Sequence, residues 1–172
     1  MCKKIGFTGP RPIKLSWGYN ELHENCMKLK ESLWDLIENR IKYGYTYFIS
    51  GMALGIDTIC AEIVLALKKA HPQVQLECAI PCLEQERFWP LKAKKRYQKI
   101  LKNCNKITMV SDQKYFDGCM IQRNKYVVDN CDLLIAVYNH RSGGTKMTID
   151  YAKSIDKPAI VINLDNPKEI EE

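Results

Sequence analysis

The sequence predicts an α/β protein: one doubly wound, mainly parallel sheet in a single domain spanning residues 1–172. Three observations carry this. Strand-like and helix-like segments alternate six times along the chain. Leu133-Leu134-Ile135-Ala136-Val137 is an unbroken apolar run, as expected of a central parallel strand covered on both faces. Glycine-bearing segments sit where strands give way to helices.

Lys3 to Thr8 reads as the first strand, ended by Gly9-Pro10-Arg11-Pro12. The prolines hold off a helix until about Asn20. Apolar residues at Leu22, Cys26, Leu29, Leu33 and Leu36/Ile37 then predict a helix that Gly44 stops. Tyr45 to Ile49 is aromatic and β-branched, hence a strand. After Ser50–Gly55, a second helix buries Ile56, Ile59, Cys60, Ile63, Val64 and Leu67, and His71-Pro72 ends it. Val74 to Ile80 is the third strand. Pro90 suits the first turn of a helix reaching Asn103. Ile107–Val110 is a strand and Cys119–Asn130 a helix. Leu133–Val137 is the next strand, a helix runs from Ser142-Gly143-Gly144-Thr145 through Ser154, and Pro158–Asn163 is the last strand. An acidic tail follows.

Composition narrows the function. The chain is 46% hydrophobic and 27% charged, which excludes intrinsic disorder. No apolar run reaches the roughly 18–20 residues of a membrane helix. MCKKIGFTGPRP has lysines but no apolar signal core, so a cytoplasmic location is expected. The eight cysteines include no CxxC pair, and Cys60, Cys78, Cys104 and Cys131 sit in apolar stretches as core thiols. The histidines have no zinc-ligand spacing, so no metal site is expected. Net charge is +6, which favours an anionic ligand, and much of the excess lies between Lys92 and Lys106. That segment reads first as the solvated face of one helix.

Ligands of such sheets bind beyond the carboxyl ends of the strands. Three loops there carry unusual residues: Thr8-Gly9-Pro10-Arg11, Ser50-Gly51-Met52-Ala53-Leu54-Gly55-Ile56-Asp57 and Ser142-Gly143-Gly144-Thr145. Glycines bring backbone N–H groups close to a phosphate, and a helix N-terminus adds a favourable dipole. Asp57 suits a ribose hydroxyl or a helix cap. Neither G-x-G-x-x-G nor a P-loop occurs, so no cofactor is expected. Phe88, Trp89 and Tyr115 lie in loops, available for stacking on a base or for packing the sheet.

SGMALGID, IPCLEQERFWP, QRNKYVVDNCDLLIAVY and SGGTKMTIDYA, in this order, resemble the YpsA-like (DUF1273) proteins of the SLOG superfamily, relatives of LOG phosphoribohydrolases and DprA. The resemblance spans Gly6 to Ile162. It implies a Rossmann-like SLOG fold with a pocket for a nucleotide or nucleotide-derived ligand. It also implies, with the exposed-looking Met27 and Trp34 of the first helix, a homo-oligomer. Arg123 matches the arginine of the LOG motif M-x-x-R-K, with Asn124 beside it. Thr148 stands where that family carries its catalytic glutamate. Asp150 lies roughly 200° further around a helix and does not replace it.

The expected function is therefore non-catalytic binding of an ADP-ribose-like or cyclic signalling nucleotide, as a sensor or sequestering module. The expected binding residues are Thr8, Gly9, Arg11, Ser50, Gly51, Met52, Ala53, Gly55, Asp57, Arg123, Asn124, Ser142, Gly143, Gly144 and Thr145. The alternative is an N-glycoside hydrolase using Arg123 with Glu84, Glu86 or Asp57. A DprA-like nucleic-acid binder using the 92–106 lysines ranks third. A purely structural role for Arg123 would be an ion pair with Asp129 or Asp132.

Overall fold

The computed structural model describes residues 2–172. Its strands are β1 (Lys3–Thr8), β2 (Tyr45–Ser50), β3 (Gln75–Ile80), β4 (Lys106–Met109), β5 (Leu133–Tyr138), β6 (Ala159–Asn163) and β7 (Ile170–Glu171). Its helices are α1 (Glu24–Lys42), α2 (Ile56–Leu67), α3 (Leu91–Asn103), α4 (Cys119–Asp129) and α5 (Gly144–Ser154), with one 3₁₀ turn at Pro12–Lys14. The strands form one sheet in the order β4-β3-β2-β1-β5-β6-β7. All neighbours pair in parallel except β6 and β7. This is the doubly wound α/β architecture that the alternation predicts.

Strand periodicity divides the core between two layers. Ile5, Phe7, Phe48, Leu76, Ile80, Leu133, Ile135 and Val137 face α1, α2 and α3 in the main cluster, where Phe7 and Phe48 stack at 6.0 Å. Ile49, Ala79 and Leu134 face the other way, against Val127, Val128 and Cys131 at and after α4 and Ala152 of α5. The two layers follow from period-2 alternation along parallel strands buried on both sides. Cys60, Cys78 and Cys131 are buried core thiols, and Cys104 is partly buried against the same core.

Two expectations are corrected. The first helix starts at Glu24, not Leu22, because the Nδ1 atom of His23 accepts from the amide of Asn25 at 3.2 Å and caps the helix there. Leu22 is consequently outside the helix and 85% exposed. Pro158–Asn163 does not hold the last strand: in the acidic tail Ile170–Glu171 pairs antiparallel with Val161–Ile162, and Glu172 reaches Arg40 of α1.

One buried carboxylate fastens β3 to its surroundings. Glu77 accepts from Tyr47 of β2 at 2.5 Å, Thr108 of β4 at 2.6 Å and Tyr126 of α4 at 2.6 Å, with Lys106 at 3.4 Å. Burial alone would raise its pKa. The hydrogen bonds from Thr108, Tyr126 and Tyr47 and the Lys106 charge outweigh burial and hold it below the usual range. A carboxylate depressed in this way adds stability above its unfolded pKa of about 4.3. That stability is lost as pH falls through the lower folded value. Glu77→Gln is expected to cost about 1–3 kcal/mol at pH 7 and to flatten the acid limb of a urea-unfolding series. An unchanged acid limb would show that Glu77 does not set it.

Candidate functional site

The strand order reverses at β1 and β5: the chain winds outward from β1 to β4, then returns to place β5 on the other side of β1. The loops leaving β1 and β5 diverge, and a crevice opens between them, where doubly wound sheets take their ligands. It holds a cavity of about 540 Å³. The end of β1 and the loop after it supply Thr8, Gly9, Arg11 and Lys14; the β2–α2 loop supplies Ala53 and the first turn of α2 supplies Asp57. Met120, Arg123 and Asn124 come from α4, and Tyr138, Arg141, Gly143, Gly144 and Thr145 from the β5–α5 connection. The two glycine loops thus share one edge and one cavity, as expected.

Arg123 is the most buried cation of the site, with 3% of its surface exposed. It does not pair with Asp129 or Asp132. Asp129 accepts from the Tyr151 hydroxyl, and Asp132 from the Lys4 amide. Instead Nη1 forms an ion pair with Oδ2 of Asp57 at 3.7 Å, beyond hydrogen-bond reach, and has no hydrogen-bond partner among the described residues. Burial pushes the Asp57 carboxyl up, against the opposing pull of Arg123 and the Ala53 amide. Burial pushes Arg123 down, against Asp57.

A directed chain of hydrogen bonds holds the guanidinium. Nε donates to Oδ1 of Asn124 at 2.8 Å, and Nδ2 of Asn124 donates to Oγ1 of Thr148 at 2.9 Å. The Thr148 hydroxyl donates to the Gly144 carbonyl at 2.8 Å. Each donor has one acceptor, so the Asn124 amide has one consistent orientation. Thr148 is buried, and its hydroxyl is committed to α5 and Asn124.

Gly143 caps α5 with φ +145° and no side-chain hydrogen bond, leaving the first amides of the helix free of intrahelical partners. Lys14 Nζ donates to the Ser142 carbonyl at 3.2 Å and so bridges the loops after β1 and β5.

Several expected binding residues lie behind the cavity wall. Ser50 is buried; its hydroxyl donates to the Asp57 carbonyl at 2.8 Å and accepts from the Met52 amide at 3.2 Å. Met52 is fully buried at φ 56°. Gly51 backs onto Arg123: a Cβ there would sit 2.5 Å from Nη1. Gly55, at φ +96°, caps α2 against the Pro10 carbonyl. Ser142 contributes its carbonyl to Lys14. Asp57 is not the helix cap; it lies in the first turn, and Oδ2 accepts from the Ala53 amide at 3.2 Å.

Glu84 and Glu86 are not brought to Arg123. They line a separate shallow depression with Arg87, Lys94 and Lys114. Trp89 packs on the core, edge-on to Tyr97 at 5.3 Å, while Phe88 and Tyr115 are exposed away from the cavity lining. Lys92, Lys95, Lys99 and Lys102 are exposed on α3, and Arg96 is paired with Glu21 and Glu62. Among the described residues no group of three or more His, Cys, Asp or Glu could hold a metal ion, and no helix is long and apolar enough to cross a membrane. Sequence reasoning missed Lys14, Tyr138 and Arg141. Their one signal is position, at or just beyond the carboxyl ends of β1 and β5.

Strand order, switch-point crevice and glycine-walled helix starts define a Rossmann-like α/β protein. The chain belongs to the YspA SLOG family, whose model (YpsA) matches residues 5–165. It is 34% identical to the SPbeta prophage-derived protein YoqJ of Bacillus subtilis strain 168 over 139 residues, covering 74% of this chain and 81% of that protein. It is 28% identical over 144 residues to the UPF0398 protein BH1768 of Halalkalibacterium halodurans, covering 83% and 76%. Among solved structures, DNA processing protein A of Helicobacter pylori superposes with a TM-score of 0.64 at 21% identity, covering 94% of this chain and 65% of that one. DprA of Streptococcus pneumoniae gives 0.63 at 18% identity, covering 94% and 50%. The chain thus spans less than two thirds of either DprA chain, and at this identity the likeness is one of fold.

The Arg123–Asn124–Thr148 relay is testable without a ligand. Thr148→Val keeps the shape but strands Nδ2 of Asn124, and is expected to cost about 1–2 kcal/mol in urea unfolding. Thr148→Ser is expected to regain most of it. Equal midpoints for the valine variant and the wild type would mean the relay does not bear on stability.

Proposed function

We propose that the protein binds a nucleotide or nucleotide-derived small molecule in the switch-point crevice and does not turn it over, acting as a sensing or sequestering module. One observation carries this reading. Arg11, Lys14, Arg123 and Arg141 line the same cavity as the uncapped start of α5, against a single carboxylate, Asp57. Cations and free helix amides together favour a phosphate ester. N-glycoside hydrolysis needs a carboxylate at the anomeric carbon, and two of the candidate positions do not supply one. Thr148 occupies the LOG glutamate position with its hydroxyl committed to Gly144, and Glu84 lies in another depression. Loss of one key electrostatic stabiliser costs about 10²–10³-fold in rate.

A second reading rests on the exposed lysines of α3, a surface suited to a polyanion. The Helicobacter pylori structure is described by its single-stranded DNA binding mode, a property of that protein. Fluorescence anisotropy with a labelled oligonucleotide separates the readings: competition by AMP places both ligands in one site. Self-association is proposed through the outer face of α1, where Met27 is 50% and Trp34 39% exposed. Light scattering is expected to give at least a dimer mass at micromolar concentration, and a monomer mass would refute it.

The binding test uses Gly144→Asp. Gly143 is a poorer choice, because φ +145° strains any side chain, whereas Gly144 lacks that strain and a Cβ there would stand 4.0 Å from Asn124 Nδ2. An aspartate at the first turn of α5 suits the helix but repels a phosphate. Calorimetry with AMP and ADP-ribose is expected to show binding to the wild type and at least a tenfold loss in the variant. Unchanged affinity would remove the anion site from α5. Incubation with AMP, NAD and ADP-ribose is expected to release no free base or nicotinamide. Turnover lost on Arg123→Ala would install the hydrolase reading.

A further inference from the structure

A second groove lies outside the switch-point crevice and is the larger of the two, at about 790 Å³. It runs between α3 and the segment 15–22 and shares no lining residue with the crevice. The cap at His23 stops α1 from extending back into that segment. Leu22, which belongs to the helix stripe by its spacing, is thereby left in the groove wall with its side chain in solvent. Tyr19 lines the same wall and is exposed too. Leu54 and Ala93 add apolar surface over a packed floor of Leu15 and Ile59.

The charges of the groove divide into a settled set and a free one. Arg96 binds both Glu21 and Glu62, with Nη2 2.7 Å from Glu62, and Lys30 reaches Glu21 at 2.7 Å. Both carboxylates are therefore neutralised within the protein. Lys92, Lys95 and Lys99 line the same groove and are exposed. Among the described residues none of the three has a carboxylate within ion-pair distance. They fall at i, i+3 and i+7 of α3, a single helix face, over roughly 10 Å at about 1.5 Å per residue.

An apolar trough bordered on one side by unmatched cations fits an occupant that is apolar on one face and acidic along one border. No strand lines the groove, so an extended peptide would find no backbone partners there. A helix brings its own backbone hydrogen bonds with it. Nucleic acid matches the lysines but leaves the aliphatic wall without a partner.

We infer that this groove docks an amphipathic helix of a partner protein, its apolar face on Tyr19, Leu22 and Leu54 and its acidic border against Lys92, Lys95 and Lys99. The site is separate from the nucleotide-binding reading and does not rest on it.

The probe is a fluorescein-labelled synthetic helix of about 14 residues, two heptads, with leucines on one face and glutamates beside them. Two control peptides exchange the glutamates for lysines or the leucines for alanines. Anisotropy is expected to show the first peptide binding at least about tenfold more tightly than either control. Leu22→Asp changes an exposed position outside the helices and is expected to weaken that binding by at least about tenfold. The double variant Lys92→Glu, Lys95→Glu is expected to prefer the lysine peptide, and retention of the glutamate preference would overturn the proposed border. Failure of the glutamate–leucine peptide to bind at about 1 mM overturns the docking site. So does unchanged affinity in Leu22→Asp shown by thermal melting to be folded. Equal binding of the alanine control assigns the lysines to a polyanion such as nucleic acid. A monomer mass for Leu22→Asp against a dimer mass for the wild type assigns the groove to a second copy of this chain. Either result overturns the inference.

Discussion

A guanidinium with almost no exposed surface is costly unless its hydrogens are placed, and the carboxyl edge of this sheet is organised around that requirement. Arg123 rides on α4, which lies across the face of β1. Its Nε is satisfied through Asn124 and Thr148, which ties α4 to the first turn of α5. Its outer nitrogen faces Asp57, at the first turn of α2. One side chain therefore refers the starts of two helices, from opposite faces of the sheet, to a common point. The crevice between β1 and β5 is the space this arrangement leaves open.

The remaining features serve the same geometry. Glu77 joins β2, β3, β4 and α4 through three hydroxyl donors, and Tyr126, one of them, lies one turn beyond Arg123. The clamp thus limits rotation of α4 about its own axis. Ser50 binds the backbone at both Met52 and Asp57, holding the loop that carries the carboxylate. Lys14 closes the mouth from the other side by reaching the Ser142 carbonyl.

The sheet was legible because its strands announce themselves. Leu133–Val137 is apolar throughout, and Tyr45–Ile49 is rich in β-formers. The helix stripes at Cys26–Ile37 and Ile56–Leu67 are buried as their spacing predicts. β7 was not legible: two exposed residues carry no pattern, and only pairing with β6 makes them a strand. In the site, the glycine loops could be read because glycine at a strand–helix turn has a physical meaning. Their division of labour could not. Ser50, Gly51, Met52 and Gly55 shape the wall from behind, whereas Ala53 and Asp57 line it, and only the path of the backbone decides which is which. Lys14 and Arg141 belong to no motif. The crossing at β1 and β5 brings them together.

The contact between Gly51 and Arg123 has a consequence for how such a sequence can drift. The Cβ of any other residue at position 51 would overlap the guanidinium at 2.5 Å, and the shift that relieves the overlap would pull Arg123 away from Asn124. The two positions are therefore not free to change one at a time. Among relatives, a bulkier residue at the first should accompany a shorter one at the second, and a lineage that loses the arginine is released from its glycine.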